Sequence, residues 1–335
     1  MTTHTFRTLM NRLSRAGFKT EFVSPAILPD WWDESCSENP SVLQDIEIRL
    51  ARFLGVPLEV VKNPNVVLAP PAYPEAQFRR VRDIDRDRLR PAIHAAIRIA
   101  GAVARNLQDR EHNAVVPPED ALAWRDLVKG SRSNVSLEDI VSDLWKRGIP
   151  VVPLDVLPSP SFQGMSCIVE SRPVILLGHK YDEPGRAAFL VVHEVGHVVA
   201  GDCAPGRPVV DEEEEITDEA DIERRADQYA TRVLIGADIV PEIDGKSFKE
   251  LARSASEVEN RTGADASTVI FALARRTGDY ATATMAVRAL YRHLGARRKL
   301  RELFDRHVDL SSAAETDRAL LRCVHGDPEH NEAAG

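Results

Sequence analysis

The amino-acid sequence predicts a predominantly helical α+β fold. Apolar residues recur at helical spacing through most of the chain, and three short β-rich runs, Val151 to Val156, Ser166 to Glu170 and Val174 to Gly178, lie close together within it. Helical patterning resumes on both sides of them, so the expected architecture is a core with a small β-sheet, flanked by N-terminal and C-terminal helical regions. A chain of 335 residues exceeds what one hydrophobic core usually serves. Its composition, 43% hydrophobic and 28% charged, is that of a soluble globular chain.

In order, Phe6, Leu9, Met10 and Leu13 share one face of a first helix, with Gly17 placed to cap it. Ile27 to Trp32 breaks the pattern, and Pro40 with Ser41 opens a second helix whose apolar face is Leu43, Ile46, Leu50 and Phe53. Residues 1–62 therefore read as a compact helical domain. Adjacent tryptophans point in different directions, so one of Trp31 and Trp32 is expected to stay partly exposed, with core packing the expected role of both and a partner anchor the functional alternative. Residues 63–75 form a linker, since four prolines fall within Asn63 to Pro74. Residues 76–135 resume as connecting helices, with His94 expected as a packed core residue because no partner motif surrounds it. The third unit, 136–245, begins with an amphipathic helix capped by Ser136 and contains the β-rich runs, the last two joined by a turn at Ser171 to Pro173. Helices from about Gly185 to Ala200 and Asp218 to Ile235 follow, and residues 246–335 form a C-terminal helical region.

The N-terminus lacks an apolar run followed by a small-residue cleavage site, and no apolar run approaches the roughly 20 residues that span a bilayer, so a cytoplasmic, non-membrane protein is expected. Cys36, Cys167, Cys203 and Cys323 are scattered without a C-x-x-C pair, which argues against a disulfide framework or thiolate zinc site. The net charge is −9, and residues 1 to 110, with 16 basic against 13 acidic side chains, leave −12 to the remainder. That balance argues against non-specific nucleic-acid binding by the whole molecule.

The chemistry is concentrated in the pentapeptide HEVGH. His193 and His197 are four residues apart, which on a helix turns them only about 40° from each other and lets both imidazoles reach one ion. Glu194 then sits beside the open coordination position, where it can take a proton from water. The surrounding helix is otherwise apolar, and two His and one Glu buried there without compensation would be costly. A hydrolytic site needs a third protein ligand, and Glu223, 26 residues after His197 (223 − 197), borders the apolar face of the next helix. Glu219 and Asp221 compete for that role. Asp227, one turn beyond Glu223, is placed to accept a hydrogen bond from a ligand imidazole.

HEVGH, an acidic spacer and ERRADQYATRVL together resemble the ImmA/IrrE metallopeptidase family, whose motif is HExGH followed by ExxA(N/D)xFAxxLL. The resemblance covers about residues 140 to 236, including GIPVVPL, RPVILL and FLVVHEVGHVVAGD. It implies a zincin-like core, Zn2+ as cofactor, Glu223 as the third ligand, Asp227 at the polar position and Tyr229 at an aromatic packing position. Leu234-Ile235-Gly236 stands where relatives commonly have Leu-Met-Pro, so a changed helix end is expected. The resemblance also implies a regulatory protease that cleaves a helix-turn-helix repressor in stress response and transcription regulation.

Residues 40 to 61 resemble the closing helices of an XRE-type helix-turn-helix domain, but the position of a recognition helix carries the acidic DWWDESCSEN. That segment lacks the side chains that neutralise phosphates and read bases, which places direct DNA binding below a protein-docking or structural role. The acidic run Asp211 to Glu215 reads as a solvated loop, with recruitment of a basic substrate or gating of the cleft as the functional alternative. Three functions remain open: a zinc peptidase gripping an extended substrate along a strand such as Ser166 to Glu170, a transcriptional regulator or antitoxin-like binding protein with a structural metal site, and a non-proteolytic zinc hydrolase. The intact Glu194 favours catalysis, because a structural site needs no base. Substrate, partner and oligomeric state are not encoded in these motifs.

Overall fold

The computed structural model describes residues 4–73, 76–79, 86–109, 113–178, 182–211, 220–238, 247–291 and 294–325. The fold is α+β and mostly helical. Helices α1 (Phe6–Arg15) and α2 (Thr20–Ile27), a 3-10 turn (Glu34–Glu38), α3 (Pro40–Leu54) and α4 (Leu58–Lys62) come first. Strand β1 (Gln77–Arg79), α5 (Arg86–Arg105), α6 (Ala121–Lys129), α7 (Leu137–Lys146), β2 (Val151–Pro153), β3 (Gly164–Val169) and β4 (Arg172–Leu177) follow. Then come α8 (Pro184–Val199), β5 (Val209–Asp211), α9 (Ala220–Ile235), α10 (Phe248–Thr262), α11 (Ala266–Thr277), α12 (Tyr280–Leu290), α13 (Ala296–His307) and α14 (Glu315–His325).

Local chemistry explains the helix ends. Thr5 and Ser136 both close capping boxes at the starts of α1 and α7, and Pro40 and Pro184 open α3 and α8, where a missing N–H costs nothing. Gly55 ends α3 in the left-handed conformation at φ 67°, open to glycine without strain. At the end of α9, where Leu234-Ile235-Gly236 was expected to change the helix end without consequence for the metal, Gly236 takes φ 80° and the buried Arg125 donates to the carbonyls of Val233 and Leu234, both at 2.6 Å. Two of the carbonyls left over at that terminus are thereby satisfied.

Among the described residues the sheet has five strands in the order β1-β5-β3-β4-β2. β3 runs antiparallel to both of its neighbours, while β2 is parallel to β4 and β1 is parallel to β5. Every residue of β4 is buried, so both of its faces are covered, and both α8 and α5 pack on β3 and β4. Three expectations need correction here. Residues 77–79 form a strand and not part of a helix, because they find a parallel partner in β5, a pairing that local sequence does not announce. The β3–β4 turn is Glu170 and Ser171, at φ 49° and 62°, with Arg172 and Pro173 already paired in β4. Finally, the first half of β3 is an inner strand and not an edge. Gly164 to Ser166 pair with β4 on one side and β5 on the other, and Ile168 bridges to Pro205.

His94 is buried on α5 as expected, and Trp31 is 54% exposed while Trp32 packs on Phe6 with ring centroids 5.2 Å apart. The cysteines are all free thiols. Among the described residues no helix is long and apolar enough to cross a membrane. Of the acidic run, residues 212–215 lie outside the described residues, as does the expected start of α9 at Asp218.

Candidate metal centre

Helix α8 is apolar nearly all round and buried along almost its whole length, the pattern of a helix inside a core. Its two histidines and Glu194 are fully buried. What brings a third donor to them is the absence of a side chain at Gly196. A Cβ there would stand 3.0 Å from Cα and 3.3 Å from Cβ of Ala226, tighter than ordinary contact, so glycine lets α9 cross α8 closely. Glu223 lies one turn before Ala226 on the same face of α9, and the close crossing carries its carboxylate to the imidazoles.

The ligand atoms of His193, His197 and Glu223 all lie within 4.8 Å of one another, so this buried group can hold a metal ion. The two Nε2 atoms are 3.1 Å apart, and the Glu223 carboxylate reaches them with Oε2 at 3.4 Å from His193 and Oε1 at 3.3 Å from His197. Each ring is oriented from behind. His193 Nδ1 stands 2.8 Å from Asp227 Oδ1, and His197 Nδ1 stands 3.0 Å from Asp202 Oδ2. A carboxylate accepts only, so each Nδ1–H donates and each Nε2 lone pair is turned toward the common centre.

The electrostatics fit a cation at that centre. Burial and the Arg275 charge oppose protonation of His193, yet hydrogen bonds to Asp227 and Glu223 outweigh them and push its pKa up to about 10. His197 is raised in the same way against burial, chiefly through Asp202 and Glu223. Burial alone would raise Glu223, but the two imidazoles hold its carboxyl well below the usual carboxylate range. Positive charge is therefore strongly favoured between these groups, and two neutral nitrogens with one carboxylate are a common donor set for a first-row metal.

Of the competing acids, Asp221 is exposed and pairs with Arg224 at 2.5 Å, away from the centre, and Glu219 lies outside the described residues. Glu194 turns toward the start of β3, where a Cβ on Gly164 would come within 2.3 Å of its Oε1. Gly164 thus leaves the space that the Glu194 carboxylate occupies. Two residues escaped the sequence reasoning. Asp202 sits just past the end of α8 in VVAGD, five residues after His197, and that short spacing was a usable signal. Arg275 comes from α11, 82 residues from His193, and no local pattern points to it. Its guanidinium forms an ion pair with Asp227, Nε to Oδ1 2.8 Å, and lies 5.3 Å from the centroid of the Phe189 ring. No protein-family model matches the chain, and no curated protein is significantly similar to it in sequence.

Proposed function

We propose that this chain is a zinc-dependent regulatory peptidase with a zincin-like core. The observation that carries the reading is the convergence of His193, His197 and Glu223 on one point while Glu194, on the same helix as both imidazoles, is buried beside Gly164 with no place among the three donors. A structural metal site has no use for such a fourth, proton-accepting group.

Zinc bound there supplies Lewis acidity to the attacking water and the scissile carbonyl. Glu194 accepts the proton of the attacking water and returns it to the leaving amine. Asp227 and Asp202 hold the rings of His193 and His197, and Arg275 fixes Asp227. The substrate class that accompanies the resemblance to ImmA/IrrE proteins is a helix-turn-helix repressor, cleaved in the cytoplasm. Because β5 pairs with Gly164 to Ser166 and Pro205 bridges Ile168, an extended substrate pairs with those residues only by displacing them.

A regulator with a structural metal is the second reading, favoured by the complete burial of His193, Glu194 and His197. Glu194→Gln separates the two. It keeps the size of the side chain and removes its proton acceptance, so metal content and folding should persist while cleavage of co-encoded helix-turn-helix proteins falls about 10²–10⁴-fold. The variant should also trap its target uncut. Undiminished cleavage by Glu194→Gln would sink the catalytic reading, and a phenotype lost in His197→Ala but intact in Glu194→Gln would establish the structural one.

A further inference from the structure

A cavity of about 460 Å³ opens where α2, α3, α5 and α14 meet, and none of its lining residues belongs to the metal centre. Its floor is apolar, with Ile27, Phe53 and Leu320. Its walls carry four arginines, Arg49 and Arg52 from α3 and Arg98 and Arg105 from α5. Such a combination is unusual for a crevice that merely fails to close, because guanidinium groups are seldom drawn together over apolar surface without counter-charges.

The counter-charges are unevenly distributed. Arg105 is fully engaged: it grips Asp317 with two hydrogen bonds of 3.0 and 2.7 Å and lies 3.3 Å from Glu170. Arg49 pairs with Asp45 at 2.8 Å and Glu315 at 2.7 Å, but its Nη1 is buried without a hydrogen-bond partner on a side chain only 9% exposed. Arg98 has no carboxylate within ion-pair distance among the described residues. One Nη2 bond, to the Arg52 carbonyl at 3.0 Å, is its hydrogen bond, and its Nε is buried without a partner. Burial and the adjacent charge of Arg105 hold Arg98 below the ordinary arginine range. Arg52, exposed at the rim, has no ion-pair partner among the described residues either.

We propose that this cavity is a binding site for a small organic anion, whose phosphate or carboxylate head is held by Arg98 and Arg52. Its apolar body lies on Ile27, Phe53 and Leu320. Guanidinium forks match the paired oxygens of both head groups, and an anion in the cavity gives Arg98 and Arg52 the counter-charge that no described carboxylate supplies. Asp317 and Glu315 are already occupied by Arg105 and Arg49, which leaves the two unpaired arginines to set the sign of the site.

Titration calorimetry of the full chain at 0.15 M salt tests this with three probes: inorganic phosphate, adenosine 5′-monophosphate and octanoate. The expected result is saturable binding of one organic anion per chain with Kd below about 1 mM, at least tenfold tighter than inorganic phosphate. Which of the two organic probes binds identifies the head group as phosphate or carboxylate. Arg98→Ala should weaken that binding at least tenfold, and Arg52→Ala, at an exposed position where folding is not at risk, at least threefold. Arg253→Ala, at an exposed position on α10 outside the cavity, should leave it unchanged, which controls for a general loss of positive charge. The proposal is overturned if neither organic anion binds saturably up to about 10 mM, if inorganic phosphate binds as tightly as they do, or if Arg98→Ala and Arg52→Ala both bind like the wild type.

Discussion

The metal centre and the packing around His94 are two answers to the same problem, an imidazole deep in the protein. His193 and His197 are fully buried and His94 is 3% exposed, yet His193 is raised to about 10 and His94 is lowered to about 4. Desolvation is the largest single influence at both, and it acts in the same direction. The partners make the difference. His94 lies against Phe18, Phe53 and Tyr73, where its Nε2 donates to the Phe53 carbonyl at 2.7 Å and its Nδ1 accepts from the Tyr73 hydroxyl at 2.8 Å. Both nitrogens are satisfied in the neutral form. Around His193 and His197 the partners are carboxylates, which call for positive charge. Burial of a histidine is thus uninformative about function until its neighbours are named.

The largest break in that contrast comes from Glu223→Gln, which removes the one carboxylate shared by both imidazoles. Zinc binding to small domains contributes roughly 10–16 kcal/mol, so one of three ligands is worth about 4 kcal/mol, or a loss on the order of 10³-fold in affinity. Competition with a chromogenic chelator measures it. Wild-type affinity in this variant would show that Glu223 is not a ligand.

Asp202→Asn and Asp227→Asn sharpen the comparison, because they change only what stands behind each ring. Loss of such a partner typically costs 10–100-fold in metal affinity. Asp202 has a side chain 10% exposed, against 27% for Asp227, and Asp227 is also tied to Arg275. The Asp202 variant should therefore fall nearer 100-fold and the Asp227 variant nearer tenfold, by the same chelator assay. Equal or reversed losses would mean that burial does not rank these two carboxylates.

Much of the centre was legible because helical geometry converts sequence spacing into position. His193, Glu194 and His197 follow from a single turn of α8, and Glu223 and Asp227 from a single face of α9. Gly196 explains why those two helices meet, but its role rests on Ala226, and nothing in the sequence pairs those two residues. Arg275 and the β1–β5 pairing are contacts between segments distant in the chain, which no periodicity encodes. The β3–β4 turn was misplaced for a different reason. Glu170 and Ser171 adopt positive φ without the Gly or Asn that usually marks such a turn, so proline drew the end of the assigned turn two residues too far. His94 was legible as packing, but its hydrogen bonds to Phe53 and Tyr73 were not.

The smallest expected effect tests the other half of the contrast. His94 stays neutral in the folded chain down to about pH 4, whereas in the unfolded chain it titrates near 6.5. Between those values the unfolded state binds a proton that the folded state refuses, so stability rises with pH across the window. Its contribution is present above pH 6.5 and is lost as pH falls toward 4, reaching about 1.4 kcal/mol one pH unit below 6.5. Urea denaturation at pH 7.5 and 5.5 reads this directly. The carboxylate-paired histidines of the metal centre act in the opposite sense, so the wild type must be compared with His94→Gln and the difference taken. His94→Gln should be less stable than the wild type at pH 7.5, because it packs less well, and the gap should narrow by about 1.4 kcal/mol at pH 5.5. A gap that is the same at both values would mean that His94 takes up its proton within the fold, and the opposition between the two buried sites would fail.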